Sequence, residues 1–173
     1  MVRAFVAIGS NIDPAINVRS AIELLARRLS VIRLSTVYKT QPEERLEQED
    51  FYNCVVEIQT DLPPRDLKFH VLRMIETQLK RQRTPDKYAP RTIDMDLILY
   101  GDLTLNENDL VLPDPDIVRR FFVAAPLEEF DPDLILPGSD VRISDIAARL
   151  PQDKAQPLPS YTARLRAEII QWQ

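Results

Sequence analysis

Short β-rich runs alternate with stretches of helical hydrophobic spacing along the first part of the chain. Residues 2–8 and 30–38 are typical of strands, and apolar residues recur at helical spacing over residues 16–29 between them. Asp13-Pro14 offers a capping oxygen followed by a proline at the first helical position, which predicts where this helix begins. The pattern therefore predicts a β-α-β unit.

A second helix and two further strands are predicted downstream. Residues 51–60 predict a strand, and apolar residues that step by four predict the buried stripe of the next helix: Leu67, Val71, Ile75 and Leu79. Residues 92–100 alternate throughout, with Ile93, Met95, Leu97 and Leu99 on one face and Asp94, Asp96, Ile98 and Tyr100 on the other. Helices are also predicted from after Pro113 to about Phe130, over 143–150 and over 163–172.

This element order predicts the fold class. The order β-α-β-β-α-β indicates an α/β (α+β) protein, a ferredoxin-like sandwich in which helices cover one face of a sheet, with added C-terminal helices. A chain of 173 residues and 20.0 kDa suits one catalytic domain, which we place at residues 1–150. Residues 151–173 are expected to be a C-terminal extension, mostly helical.

Rare residue types exclude several kinds of site. The only glycines, Gly9, Gly101 and Gly138, are too far apart for a G-x-G-x-x-G turn or a G-x-x-x-x-G-K loop. His70 is the sole histidine and Cys54 the sole cysteine, which excludes intrachain disulfides and zinc sites with several His or Cys ligands. A metal, if bound, is therefore a hard ion held by oxygen atoms.

Charge and hydropathy narrow the choice of partners. The chain has 22 Lys and Arg against 27 Asp and Glu, and this net charge of −5 argues against nucleic acid and anionic membranes. No apolar run is long enough for a membrane helix, and the first residues lack the apolar stretch of a secretory leader. We expect a cytoplasmic protein that acts on small molecules, as a monomer or weak homodimer.

Asp94 and Asp96 are candidate metal ligands. They lie two apart on a predicted strand, so both carboxylates leave the same face, with Cα atoms about 7 Å apart. Mg²⁺ suits such a pair because it takes oxygen ligands and completes its shell with water and phosphate. The pair alone is more typical of the solvated face of a strand, and it is the neighbouring residues that favour a metal site.

The segment before this pair is basic. Six cations and two acids between Arg73 and Arg91 give a local charge of six minus two, or +4. Arg81, Arg83 and Arg91 are candidates for binding the phosphate oxygens that a metal leaves. Cations at the C-terminus of a helix are favourable through the helix dipole alone, which explains Lys80 and Arg81 but not Arg91.

Two aromatic residues and an amide predict a site for a flat ring. Phe51 and Asn53 share one face of their strand, and Phe122 comes from the later helix. An amide both donates and accepts hydrogen bonds, so Asn53 suits the edge of such a ring. The alternative is that all three pack in the core. Tyr88 either covers a base or packs.

Together these residues resemble the hydroxymethyldihydropterin pyrophosphokinase family of folate synthesis over residues 2–137. The most specific segment is Pro90-Arg91-Thr92-Ile93-Asp94-Met95-Asp96. The other segments that carry the resemblance are Gly9-Ser10-Asn11, Tyr38-Lys39-Thr40 with Pro42, Gln48 with Phe51-Tyr52-Asn53, Glu76 with Arg81 and Arg83, and Leu112-Pro113 to Arg120-Phe121-Phe122.

The resemblance implies transfer of pyrophosphate from ATP to 6-hydroxymethyl-7,8-dihydropterin, with AMP as the second product. It implies two Mg²⁺ ions on Asp94 and Asp96, with Arg81 and Arg91 as further catalytic residues. The positions that match pterin ligands are Thr40, Pro42, Phe51, Asn53, Asp94 and Phe122. The positions that match ATP ligands are Glu76, Arg81, Arg83, Tyr88, Arg91, Ile98, Asp114 and Arg120.

Of the departures from the family pattern, those at Tyr88 and Ala89 are mild, and those at Asp114 and Glu44 keep alternatives open. Asp114 replaces a histidine that helps to hold the nucleotide, and an acid there repels phosphate unless a metal or Arg119 compensates. Glu44 replaces a glycine, which predicts a stiffer and more acidic loop over 41–50. The alternatives are a non-catalytic homologue that binds a pterin or nucleotide or serves as a partner subunit, and a pyrophosphokinase for a different pterin. A Mg²⁺-dependent nuclease has only the aspartate pair in its favour and the acidic chain against it.

Overall fold

An antiparallel sheet organises the chain. The computed structural model describes residues 1–42, 47–86 and 88–169, and Glu44 lies outside these ranges. The strands of the main sheet are β1 (Val2–Ser10), β2 (Ser30–Leu34), β3 (Tyr38–Thr40), β4 (Phe51–Thr60), β5 (Asp94–Tyr100) and β8 (Ala155–Pro157). A small separate sheet contains β6 (Leu105–Glu107) and β7 (Leu110–Leu112).

Helices lie in three of the connections between consecutive strands, those from β1 to β2, from β4 to β5 and from β7 to β8. The helices are α1 (Pro14–Ala26), α2 (Pro64–Asp66), α3 (Arg73–Gln78), α4 (Phe121–Phe130), α5 (Ile143–Arg149) and α6 (Pro159–Ile169). A π-helical segment (Leu67–Leu72) joins α2 to α3, and a 3-10 turn (Pro115–Val118) precedes α4. Among the described residues, no helix combines the length and apolar character needed to cross a membrane.

The strand order identifies the fold. The sheet runs β5-β1-β4-β3-β8, and β2 also pairs with β4. In the unit β1-α1-β2, strand β4 lies between β1 and β2. In the second unit, which runs from β4 through α2 and α3 to β5, strand β1 lies between β4 and β5. Split β-α-β units of this kind are typical of ferredoxin-like proteins, so the predicted fold class is confirmed.

Helices cover both faces of the sheet. The first face packs on α1, the π-helical segment, α3 and α6, and contributes the buried Ile8 and Ile58 to this core. The second face packs on α4 and α5 through Phe5, Val55 and Ile98. The expected helix layer on one face is present, and the apolar residues of the second face require the additional layer formed by α4 and α5.

The buried stripe of the second helical region differs from the prediction at two positions. Leu67, Leu72 and Ile75 are fully buried, whereas Val71 and Leu79 are only partly buried. A π-helix places residues five apart on one face, so Leu72 takes the position below Leu67 that the predicted spacing of four gave to Val71. The inserted residue shifts the stripe by one position.

The alternation of β5 breaks at Ile98. Val6 pairs with Leu97 and Phe5 with Leu99, so Ile98 is the extra residue of a β-bulge. Leu97 packs on the α1 face, but Leu99 packs with Ile98 on the α4 face. The prediction that Leu99 shares a face with Leu97 is therefore wrong, while the part of the strand before the bulge keeps its regular alternation.

Candidate active site

A cavity lies where several strand ends meet. Gly9, near the end of β1, pairs with Asn53 of β4 on one side and with Asp94 of β5 on the other. The last residue of β3 is beside the first residue of β4 through the pair Thr40 and Phe51. Antiparallel pairing thus brings these side chains together at one end of the sheet, around a cavity of about 440 Å³.

Most of the predicted site residues line this cavity. They are Thr40, Pro42, Phe51, Asn53, Tyr88, Arg91, Asp94, Asp96, Ile98, Asp114, Arg120 and Phe122. Glu76, Arg81 and Arg83 instead line a neighbouring cleft of about 290 Å³. The two regions meet at Asp94, whose Oδ1 lies 3.8 Å from Nη2 of Arg81.

One side of the cavity is an aromatic wall, formed by Thr40, Phe51, Asn53 and Phe122. A guanidinium group lies against each phenyl ring: that of Arg91 is 5.6 Å from the centre of Phe51, and that of Arg120 is 5.7 Å from the centre of Phe122. In the same wall, Asn53 Nδ2 donates a hydrogen bond to Thr40 Oγ1 at 2.8 Å. This wall therefore combines two aromatic rings with a pair of hydrogen-bonded polar side chains.

Gly9 makes room for the amide of Asn53. A Cβ atom added at Gly9 would lie 2.7 Å from Asn53 Oδ1, much closer than van der Waals contact. Because φ is positive at Gly101 and Gly138 but not at Gly9, it is the close approach that requires glycine here. The glycine belongs to the aromatic wall although it contributes no side chain.

A second group is the charged wall, formed by Arg91, Asp94 and Asp96 of the cavity lining together with Arg81 of the neighbouring cleft. Asp94 lies between the two arginines, since its Oδ2 accepts a hydrogen bond from Arg91 Nη1 at 2.5 Å and its Oδ1 faces Arg81. Burial lowers the pKa of Arg81, and the Asp94 carboxylate acts in the opposite direction. Arg81 Nε is buried and has no hydrogen-bond partner among the described residues.

Asp96 has a different environment from Asp94. Burial raises the pKa of Asp96 to about 7, with the Asp94 and Asp114 carboxylates adding to the effect and Lys68 opposing it. Within the described residues, no ion pair neutralises it. Two carboxylates on one strand face, one of them without its own cation, fit a hard divalent ion.

Further ligands for such an ion would come from outside the protein. In the described ranges, no group of three or more His, Cys, Asp or Glu residues is arranged to hold a metal. An ion bound by Asp94 and Asp96 would therefore complete its shell with water and phosphate oxygens, as Mg²⁺ commonly does.

Glu76 fixes the backbone between the two aspartates. Its Oε1 accepts a hydrogen bond from the backbone N–H of Met95 at 3.0 Å, and its Oε2 accepts one from Arg83 Nη2 at 2.5 Å. Burial raises the pKa of Glu76 even though both contacts favour the carboxylate. In this structure Glu76 thus joins α3 to the start of β5.

A buried asparagine joins the loops around the cavity. Asn11 Oδ1 accepts from the backbone N–H of Arg91 at 2.7 Å, and its Nδ2 donates to Gln48 Oε1 at 3.0 Å. Gln48 Nε2 in turn donates to the backbone oxygen of Tyr88 at 2.9 Å. Reasoning from residue types missed this network, because Asn11 and Gln48 were indicated only by the family resemblance.

Comparison with known proteins decides the family. A profile described as 7,8-dihydro-6-hydroxymethylpterin-pyrophosphokinase (HPPK) matches residues 5–132, well over half of the chain. The chain belongs to the HPPK family. The resemblance predicted from the sequence is therefore confirmed.

Its HPPK relatives are of two lengths. A 2-amino-4-hydroxy-6-hydroxymethyldihydropteridine pyrophosphokinase of Methylorubrum extorquens is 38% identical over 145 residues, which cover 82% of this chain and 90% of the relative. The folic acid synthesis protein fol1 of Pneumocystis carinii is 32% identical over 156 residues, which cover 89% of this chain and 21% of the relative. The chain thus spans about a fifth of the longer relative.

Solved HPPK structures share the fold. The HPPK-DHPS triple mutant of Plasmodium falciparum with STZ-DHP has a TM-score of 0.68 at 14% identity, covering 98% of this chain and 45% of that one. The wild-type protein with SDX-DHP has a TM-score of 0.64 at 14% identity, covering 99% of this chain and 46% of that one. At this identity the likeness shows the fold alone.

Asp114 lies in the cavity wall and caps the 3-10 turn. Its Oδ1 accepts from the backbone N–H of Asp116 at 2.8 Å. Burial raises the pKa of Asp114, and that hydrogen bond, Lys68 and Arg120 act in the opposite direction. Arg119, the cation expected to compensate, is exposed and lies outside the cavity lining.

Proposed function

We propose that this chain transfers pyrophosphate from ATP to the hydroxyl of 6-hydroxymethyl-7,8-dihydropterin, giving AMP and the pterin diphosphate in folate biosynthesis. Family membership and the names of the bacterial relatives support this reaction. The observation that carries the proposal is that an aromatic wall and a charged wall face one cavity of about 440 Å³. A flat ring and a polyphosphate that react with each other need these two environments side by side.

In the proposal, the aromatic wall holds the pterin. The ring lies between Phe51 and Phe122, with Thr40 and Asn53 at its edge and Pro42 beside it. Because Asn53 Nδ2 already donates to Thr40 Oγ1, Asn53 Oδ1 is left to accept from the ligand and the Thr40 hydroxyl is left to donate to it. A pterin edge offers both kinds of partner.

The charged wall holds the phosphates. Asp94 and Asp96 would bind Mg²⁺, two ions in the proposal, and the metal would neutralise phosphate charge. Arg81 and Arg91 contact phosphate oxygens directly, and the buried Nε of Arg81 suits one such contact. The other residues proposed to contact ATP are Glu76, Arg83, Tyr88, Ile98, Asp114 and Arg120.

The reaction depends on positioning and on charge. The pterin hydroxyl oxygen attacks the β-phosphorus in line and its proton passes to solvent. The bond from that phosphorus to the α,β-bridging oxygen breaks, and AMP leaves with the bridging oxygen. Phe51, Asn53 and Phe122 orient the ring so that its hydroxymethyl group faces the charged wall. Arg81 and Arg91 stabilise the charge that develops on the phosphate oxygens.

One chain supplies both walls. All lining residues lie between Ala7 and Val123, which agrees with a catalytic domain at residues 1–150 and an extension at 151–173. The site therefore needs no second subunit, and we include in the proposal a cytoplasmic protein that acts as a monomer or weak homodimer.

The position of Asp114 favours a second candidate function. Its carboxylate lines the cavity near Asp96, where the phosphates would lie, and like charges repel there. A homologue that binds a pterin without transferring pyrophosphate would retain the aromatic wall and lose affinity for ATP. A pyrophosphokinase for a different pterin would retain both the aromatic wall and the affinity for ATP.

Product analysis tests the proposal. Purified protein is incubated with Mg²⁺-ATP and either 6-hydroxymethyl-7,8-dihydropterin or its 6-methyl counterpart, which lacks the attacking hydroxyl, and the products are identified by mass spectrometry. The proposal predicts equal amounts of AMP and pterin diphosphate with the first compound and neither with the second. ADP with a pterin monophosphate, or AMP release without a pterin, would contradict it. A bound pterin that gives no product would support the second candidate.

A further inference from the structure

The C-terminal residues complete the sheet beside the aromatic wall. Strand β8 pairs with β3 from Tyr38 opposite Pro157 to Thr40 opposite Ala155. On its other side β3 pairs with the start of β4, where Thr40 is opposite Phe51. A three-residue edge strand is weakly held by itself, and β8 makes β3 an internal strand.

Helix α6 satisfies the backbone just before β3. Thr162 is 3% exposed, and its Oγ1 accepts from the backbone N–H of Val37 at 2.9 Å while donating to the Leu158 oxygen at 2.8 Å. The Leu158 N–H donates to the Val37 oxygen at 2.8 Å. Both polar backbone groups of the fully buried Val37 thus depend on the C-terminal segment.

The same helix reaches the other elements of the aromatic wall. The ring of Tyr161 lies 5.5 Å from that of Tyr52, the residue between Phe51 and Asn53. Arg166 Nη2 forms an ion pair at 2.6 Å with Glu129 of α4, the helix whose first turn carries Phe122. Contacts from α6 therefore reach each element that supplies this wall.

The two carboxylates of the charged wall belong to the edge strand farthest from β8. Strand β5, which carries Asp94 and Asp96, is the opposite edge of the order β5-β1-β4-β3-β8. A displacement at β8 reaches the aromatic wall through a direct neighbour, but reaches β5 only through β3, β4 and β1. The two walls should therefore respond differently when the C-terminal segment is altered.

We infer that residues 155–169 are a positioning element for the pterin, with Thr162 as its central residue. The identity of the ligand rests on the proposed function. Thr162 touches no substrate; it holds Val37, and through the strand that follows it sets the position of Thr40 and of the paired Phe51 and Asn53. β8 and α6 lie outside residues 5–132, over which the HPPK profile matches.

The test compares three variants of the full chain. Thr162→Val keeps the shape and removes the acceptor for Val37, Thr162→Ser restores a hydroxyl, and Arg164→Ala changes an exposed residue of the same helix as a control. Calorimetric titrations give the Kd of 6-hydroxymethyl-7,8-dihydropterin and, separately, of Mg²⁺ with a non-hydrolysable ATP analogue. Tyr161→Leu, which removes the ring beside Tyr52, gives a second arm in case Thr162→Val fails to fold.

The inference predicts a split between the two ligands. Thr162→Val should weaken pterin binding about fivefold or more, because a buried donor is left unpaired, and should leave the ATP analogue within about twofold. Thr162→Ser should recover most of the pterin affinity, and Arg164→Ala should change neither Kd. Tyr161→Leu should also weaken pterin binding selectively.

Equal losses for both ligands, or an unchanged pterin Kd in both Thr162→Val and Tyr161→Leu, would overturn the inference. Turnover by the wild type is a separate measurement. A wild type that binds pterin without making AMP contradicts the proposed function, while the ratio of variant to wild-type Kd still decides the inference. A wild type that binds no pterin contradicts both.

Discussion

The aromatic and charged walls of the cavity are held in different ways. Phe51 and Asn53 lie on a strand that is paired on both sides, and the Asn53 amide already has a partner in Thr40. In the charged wall, the pKa of Asp96 is raised to about 7 by burial and by like charges, and Arg81 Nε is buried without a partner in the part of the chain that the structure describes.

This difference indicates what each wall gains from its ligand. The aromatic wall is already in place and offers shape and two polar edge groups to a ring. The charged wall contains groups whose natural partners are a divalent cation and phosphate, and unfavourable environments of this kind concentrate at functional sites. If the two walls bind two substrates, damage to one should leave affinity for the other substrate largely intact.

The largest effect is expected from Asp96→Ala. Loss of a metal ligand should lower kcat about 10³-fold or more, because charge on the phosphates is no longer neutralised, while pterin affinity stays within about twofold. Steady-state rates of AMP release and pterin titrations check both statements. Asp102→Ala removes an equal charge at an exposed position and should behave like the wild type. A rate above a tenth of the wild-type rate would refute the metal assignment.

The reverse pattern is expected for Phe122→Ala. Loss of one face of the ring site should weaken pterin binding about tenfold, since stacking and burial of such a ring contribute about 1.4 kcal/mol. Affinity for the ATP analogue should be nearly unchanged, and Phe122→Tyr, which keeps the ring, should bind the pterin well. Equal losses for pterin and ATP would mean that Phe122 serves only the core.

A smaller effect on the same wall is expected for Gly9→Ala. The new methyl group would lie within 2.7 Å of Asn53 Oδ1 and must push the amide away from Thr40. Pterin affinity should fall about fivefold, a loss in the range seen for overpacking of tight sites. The Kd for the ATP analogue is the internal control. An unchanged pterin Kd would show that the Asn53 amide does not contact the ligand.

Asp114→Asn should change the charged wall alone, and in the direction of tighter binding. Asparagine keeps the cap on the 3-10 turn and removes one negative charge near Asp96, so affinity for Mg²⁺-ATP should rise about threefold with little change in Tm. Asp140→Asn, at an exposed position, controls for net charge. A loss of ATP affinity would mean that the Asp114 carboxylate itself contributes to binding.

The smallest effect concerns Cys54. Burial raises the pKa of this thiol to about 12, well above the usual value of about 8.5, so the thiolate is almost absent from the folded protein at pH 8. The stability that this shift contributes is present below about pH 8.5 and is lost as the pH rises toward 12. Iodoacetamide at pH 8 should label Cys54 only after denaturation, as mass spectrometry would show. Rapid labelling of the native protein would contradict this burial.

Regular local patterns allowed much of the fold and the site to be predicted. Asp94 and Asp96 lie on one strand face as alternation requires. Phe51 and Asn53 lie near them because β4 and β5 are both antiparallel to β1, the strand between them, and so begin at the same end of the sheet. These placements depend only on period and strand order. The roles of these residues remain predictions, which the variants above test.

The parts that could not be predicted depend on insertions and on distant contacts. One extra residue in the π-helical segment moves Leu72 into the core, and one at Ile98 turns Leu99 to the other face. Neither insertion changes the residue types that a periodic pattern counts. Likewise, Thr162 is an ordinary helical threonine in the sequence, and its contact with Val37, 125 residues away, appears only in the folded chain.

The most direct test of the account is the rate of AMP release from Mg²⁺-ATP with and without 6-hydroxymethyl-7,8-dihydropterin, with Asp96→Ala as the blank. The account predicts AMP release that requires the pterin and disappears in the variant, because both walls must be filled for transfer to occur. A folded protein that binds the pterin and still releases no AMP would contradict it.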